Sequence, residues 1–179
     1  MVPAMLILAF AWTLKNMTDG LGAATYVAGV VENSAGGLMG FMPAIIFLIA
    51  AGLAFATGTS WGTFGILIPI VVSCFHRVDP QLMIISISAC MAGAVCVDHC
   101  SPISDTTIMS SAGAQCEHIN HVTTQLPYAM TVASVSFVSF LVAGLTKSAV
   151  ISLTFGVAVL FLLLLFIRHR TRSLSSPVE

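Results

Sequence analysis

The chain has 179 residues, 58% of them hydrophobic and 7% charged, and its mean hydropathy is +1.02. Soluble domains carry about 25% charged residues; six basic and seven acidic side chains cannot clothe a water-facing surface, so the solvent is largely lipid. A formal net charge of −1 gives no basis for nucleic-acid binding.

Residues 1–14 form a first apolar run, short of the about 20 residues a spanning helix needs. It has no basic segment and no small-residue cleavage site. It reads as the interior of a membrane protein entered at an internal Met, not as a signal peptide. Residues 15–37 carry Lys15, Asp19, Glu32 and several glycines and read as a connection. Residues 38–75 lack a charge, are too long for one span and too short for two with a turn. Two halves around TGTSWGT (57–63) predict a re-entrant hairpin with a polar tip at mid-membrane depth; two shortened spans with an ordinary loop are the alternative. HRVDP (76–80) is a polar turn.

Residues 81–97 are apolar again and run into CVDHCSPISDTT (96–107). Pro102 cannot continue a helix, because its ring clashes with the carbonyl of residue 98 and deletes that hydrogen bond. The expectation is a span broken at 98–102, with Ser101 as N-cap and Pro102 at the first position of a second half-helix that continues through the small, helix-compatible residues 103–114. Asp105 then falls in the first turn, where the helix dipole favours negative charge. QCEHINH (115–121) reads as a polar loop, 122–145 and 148–167 as two spans, with Pro127 near a helix start, and 168–179 as a basic tail. Arg168, Arg170 and Arg172 follow the last span directly and put the C-terminus in the cytoplasm.

A carboxylate inside a bilayer is costly and usually functional. Asp98 and Asp105 are therefore the sharpest residues. A carboxylate in a low-dielectric site can hold a proton or a metal cation, and that competition underlies cation/proton exchange. Hydroxyls and freed carbonyls are hard oxygen ligands, supplied by Ser101, Ser104, Thr106 and Thr107 at one break and by Thr57, Thr59, Ser60 and Thr63 at the other. His99 adds an imidazole that can carry protons or simply pack. His118 and His121 read as solvated loop residues. Cys96 and Cys100 lack the paired spacing of a zinc site. All five cysteines read as free thiols. No HExxH pattern points to an enzyme.

TGTSWGTFGILIPI (57–70) and DHCSPISDTTIMSSAGAQCEHINHVTTQLPYAM (98–130) resemble the NhaC-type Na⁺/H⁺ antiporters, over roughly residues 1–145. The resemblance is to the C-terminal half of such proteins and implies one half of an inverted-repeat secondary transporter, a multi-pass carrier of the bacterial plasma (inner) membrane. It implies Na⁺ and H⁺ as the transported ions, with no further cofactor. Some similar proteins exchange organic anions such as malate and lactate. The motif's polar residues fall at Thr59, Ser60, Asp98, His99, Ser101, Ser104, Asp105 and Thr106. Members of that family are more than twice as long, so the chain reads as a fragment. Its expected partners are the bilayer and either further copies of itself or a separate N-terminal half.

The expected fold is all-α: about four full transmembrane helices, one of them unwound, plus one re-entrant hairpin, in a membrane domain over 1–167 with a cytoplasmic tail at 168–179. The expected function is Na⁺/H⁺ exchange by alternating access, with Asp98 binding the cation and exchanging protons and Asp105 tuning the field or sharing the proton. The rivals are organic-anion exchange coupled to Na⁺ and H⁺ and a non-transporting membrane subunit.

Overall fold

The computed structural model describes Thr13, Met17 and residues 39–76 and 79–174, without the side chains of Asp105 and residues 171–174. The expectations for the first apolar run, the glycine-rich connection and the last five residues lie outside the described residues. Among the described residues all regular structure is helical. A 3₁₀ turn over Met39–Phe41 leads into α1 (Met42–Thr57); α2 (Ser60–Phe75), α3 (Pro80–Asp98), α4 (Asp105–Gly113), α5 (His118–Thr146) and α6 (Ala149–Leu174) follow.

α1 and α3 run parallel and pack most extensively of all pairs. Gly93 explains how they come so close. A Cβ there would collide with the Phe47 carbonyl, so the bare backbone of α3 can lie directly on α1. α2 returns antiparallel along α3. The shared core is Ile46, Ala50 and Ala54 from α1, Val71, Cys74 and Phe75 from α2, and Leu82, Cys90, Ala94 and Val97 from α3. α5 crosses back along α1 and α3. Its Gly144 abuts the Gly40 backbone, and Phe140 sits 5.6 Å from Phe47 between ring centroids. α6 packs on α5, where Ser152 Oγ donates to the Ser139 carbonyl at 2.6 Å. The outer face of α6 shows Val150, Leu153, Val157, Phe161 and Phe166, the surface of a helix solvated by lipid.

Among the described residues, four helical stretches are long and apolar enough to cross a membrane: Met39–Thr57, Pro80–Asp98, His118–Thr146 and Ala149–Arg170. The all-α membrane architecture is therefore as expected. Its boundaries differ in four places. The tip between α1 and α2 is only Gly58 and Thr59, not 57–63. Gly58 closes α1 at φ 70°, a left-handed conformation natural to glycine, and Thr59 is extended, so two residues suffice to reverse the chain. With its 3₁₀ turn the first arm also reaches 19 residues, more than a half-span.

The break in the second segment is wider than 98–102 and starts the next helix later. Ser104, not Ser101, is the N-cap of α4, and Pro102 sits in the turn before it. The polar loop at 115–121 shrinks to 114–117, because HINHVTTQ contains no helix breaker and α5 simply begins at His118. Pro127 consequently lies inside α5 instead of near its start. Finally, α6 continues through Arg168 and Arg170 to Leu174, so much of the expected tail is helical.

Candidate functional site

The α1–α2 tip and the break after α3 meet. A Cβ on Gly58 would stand 2.7 Å from the Ile103 carbonyl oxygen, so the absence of a side chain at Gly58 lets the two irregular segments touch. The break itself follows from Pro102. The Cys100 and Ser101 amides both fold onto the Val97 carbonyl, at 3.0 and 2.9 Å, and the Ser104 amide reaches the Ser101 carbonyl at 3.2 Å. The Asp98 carbonyl, which a continuous helix would have bonded to residue 102, instead accepts from two hydroxyls of α4. Thr106 Oγ1 is 3.1 Å away and Thr107 Oγ1 is 2.5 Å away.

The Asp98 carboxyl group points into this meeting place, and the residue is 8% exposed. Ser60 Oγ, from the first turn of α2, donates to its Oδ2 at 2.6 Å; Ser104 Oγ donates to its Oδ1 at 3.0 Å. Ser104 Oγ also lies 2.8 Å from Thr106 Oγ1. Two hydroxyl protons thus serve three short contacts, since Ser104 and Thr106 have one proton each and each oxygen also carries acceptor lone pairs. The Ser101 hydroxyl, in the break, is fully buried and has no hydrogen-bond partner among the described residues. A buried hydroxyl in that state costs about 1–3 kcal/mol and is an oxygen still open to bonding. Among the described residues no cation is paired with Asp98; the ion pair found there is Asp79 with Lys147, at the other end of α3.

The expected site residues therefore divide. Ser60, Asp98, Ser101, Ser104 and Thr106 come together. Thr59 precedes Ser60 at the tip, and its carbonyl accepts from Thr63 Oγ1 at 3.1 Å within the first turn of α2. His99 points elsewhere: it is exposed and lines a cavity of about 370 Å³ between α3 and α5 with Cys96, Gln125 and Tyr128. Asp105 is the first residue of α4, in the first turn as expected, and its side chain lies outside the described residues. Sequence reasoning gave too little weight to Thr107, which makes the shortest bond to the Asp98 backbone. It also placed His118 in a solvated loop, whereas its ring bonds to Ser111 and Pro102.

Cys96, two residues before Asp98, faces the Ala129 carbonyl of α5 at 3.8 Å. The cluster is thus level with the point where α5 passes from its polar beginning, HINHVTTQ, to its apolar remainder.

Comparison with known proteins agrees with the motifs. A family model described as the Na⁺/H⁺ antiporter family matches residues 1–145. Over 145 residues the chain is 50% identical to an uncharacterised protein of Haemophilus influenzae, covering 81% of this chain and 28% of that one. Over 97 residues it is 29% identical to the malate-2H⁺/Na⁺-lactate antiporter of Bacillus subtilis, covering 54% of this chain and 20% of that one. The chain thus spans less than a third of the length of these relatives. No solved structure matches. The broken helix with its buried Asp98, and the family match across both motifs that build it, lead to one conclusion: this chain belongs to the Na⁺/H⁺ antiporter family.

Proposed function

We propose that the chain forms part of a secondary transporter that exchanges Na⁺ for H⁺, with Asp98 as the residue that holds each ion in turn. The observation that carries this reading is the buried Asp98 carboxyl group, met by the Ser60 and Ser104 hydroxyls from two different irregular segments. A hydroxyl suits both states of such a group. It donates to the charged carboxylate, and it turns a lone pair toward a bound cation or toward the proton of the neutral acid. Ser60, Ser104 and Thr106 can therefore follow Asp98 through a cycle without leaving it unpaired. The unpartnered Ser101 hydroxyl offers another neutral oxygen, and neutral and carboxylate oxygens together suit a hard monovalent cation. Asp105, at the start of α4, and Thr59, at the tip, are assigned to the rim of the same site; Asp105 tunes the field or shares the proton.

Asp98 lies at the boundary between the polar and apolar parts of α5, which supports an ion path entering from that side. In this reading the α1–α2 hairpin is re-entrant, the C-terminus is cytoplasmic and the membrane is the bacterial inner membrane. The remainder of the transporter comes from a separate N-terminal half or from further copies of the chain, and alternating access results from one body rocking against the other.

A second reading couples the same ions to a small organic anion. It is favoured by the cavity beside the break, where His99, Gln125 and Tyr128 offer hydrogen-bond donors, and by similarity to a protein named as a malate/lactate antiporter.

The test uses everted vesicles from antiporter-deficient bacteria expressing the chain, energised and followed with a ΔpH dye. Added NaCl collapses ΔpH for the parent and not for an inserted Asp98→Asn variant. A response that needs malate or lactate selects the second reading. An equal response from Asp98→Asn removes Asp98 from the mechanism.

A further inference from the structure

The His118 side chain bridges the break and α4. Its Nε2 lies 2.8 Å from the Pro102 carbonyl oxygen, inside the break, and its Nδ1 lies 3.1 Å from Ser111 Oγ on α4. A carbonyl only accepts, so Nε2 carries a proton. On the neutral ring Nδ1 is then the acceptor, so Ser111 Oγ donates to it, with the Ile108 carbonyl at 2.9 Å as the competing acceptor for that one proton.

The surroundings hold His118 at that spot. Ser111 is 2% exposed, and its carbonyl accepts from the Cys116 amide at 3.1 Å, while the Gln115 amide reaches the Ala112 carbonyl at 3.2 Å. This paired 6→1 and 5→2 closure ends α4 and delivers the chain to His118 after one turn. Pro102, the residue so gripped, stands two positions before Ser104, whose hydroxyl bonds to Asp98.

We propose that His118 is a positioning residue for the Asp98 cluster: its imidazole clamps the break at Pro102 to α4 and so holds Ser104 against Asp98. The consequence for transport rests on Asp98 being the ion site. The clamp itself does not, and it is tested without transport.

Cys100 is a built-in reporter. It lies inside the break and is 6% exposed, while Cys74 and Cys90 are buried in α2 and α3, away from the break. The full chain in lipid nanodiscs is treated with N-ethylmaleimide, and labelling of each cysteine is followed by peptide mass spectrometry. His118→Ala is expected to label Cys100 about ten-fold faster than the parent, with Cys74 and Cys90 unchanged. His118→Gln can donate from its amide nitrogen to Pro102 and accept at its oxygen from Ser111, so it is expected to stay within about three-fold of the parent. Parent-like labelling of Cys100 in His118→Ala overturns the proposal. So does equal exposure of Cys100 in the Gln and Ala variants. Parallel exposure of Cys74 and Cys90 also overturns it, because His118 would then support the whole fold and not the break.

Discussion

Ser60 Oγ donates to Asp98 Oδ2 across 2.6 Å, although 38 positions separate the two residues in sequence. The bond ties the start of α2 to the end of α3 at the floor of the cluster. Hydrogen bonds to a charged acceptor contribute about 1.5–3 kcal/mol. Ser60→Ala is therefore expected to lower unfolding stability in detergent by about that amount. In a double-mutant cycle with Asp98→Asn, the two residues are expected to couple by about 1–3 kcal/mol. Additive effects would show that the bond carries no energy.

Gly58 makes the meeting of tip and break possible. Its φ of 70° disfavours any side chain, and an added Cβ would stand 2.7 Å from a backbone oxygen that cannot swing away. Gly58→Ala is expected to destabilise by more than about 1 kcal/mol and to separate the two segments. Gly52 is the control. It lies inside α1 with nothing within 4 Å of where a Cβ would go. Gly52→Ala is expected to be neutral or to stabilise by up to about 1 kcal/mol. Thermal unfolding of both variants side by side checks the contrast, and equal losses at the two glycines would contradict it.

The Asp98 carbonyl depends on α4 for its hydrogen bonds, through Thr106 and Thr107. Thr→Val preserves shape and removes the donor. Either single change leaves one donor in place. Together they leave a buried carbonyl unpaired, at a cost of about 1–3 kcal/mol. The double variant is expected to lose more than the sum of the singles. Amide hydrogen exchange over residues 105–113 should rise most in the double variant if these hydroxyls hold α4 to the end of α3.

The apolar runs, and the interruption at Pro102, were legible because each is written locally. Helix length needs only apolar residues in sequence, and a proline removes a donor wherever it stands. The register of the break was not legible. Ser101 and Ser104 are equally good N-caps by type, and what separates them is tertiary: the Ser104 hydroxyl goes to Asp98, and Ser101 is buried in the turn. The partnership of Ser60 with Asp98 carries no local signal beyond two polar residues at two breaks. His118 was misplaced for the opposite reason. A run of polar residues resembles a loop, yet HINHVTTQ continues a helix whose first residue finds its partners on α4 and in the break.

At the far end of α3, Asp79 serves two groups at once. Its Oδ1 accepts from the Gln81 and Leu82 amides, both at 3.1 Å, and caps the helix; its Oδ2 meets Lys147 Nζ at 2.6 Å. The Lys147 ammonium, followed by the Leu82 amide, holds the Asp79 carboxyl below its ordinary value of 3.8. The unfolded chain therefore binds this proton first as pH falls. The stabilisation is fully present above the ordinary value and is lost as pH drops through the lowered folded value. Asp79→Ala is expected to cost about 0.5–2 kcal/mol at neutral pH, mostly from the lost cap. Lys147→Met is expected to cost less, about 0.2–1 kcal/mol, because the lysine is half exposed and the pair is screened by salt. Unfolding curves of parent and Asp79→Ala should differ by a constant amount from pH 7 down to about 5 and converge below the ordinary carboxylate value. A gap that persists unchanged at pH 3 would mean that Asp79 acts through packing and not through its charge.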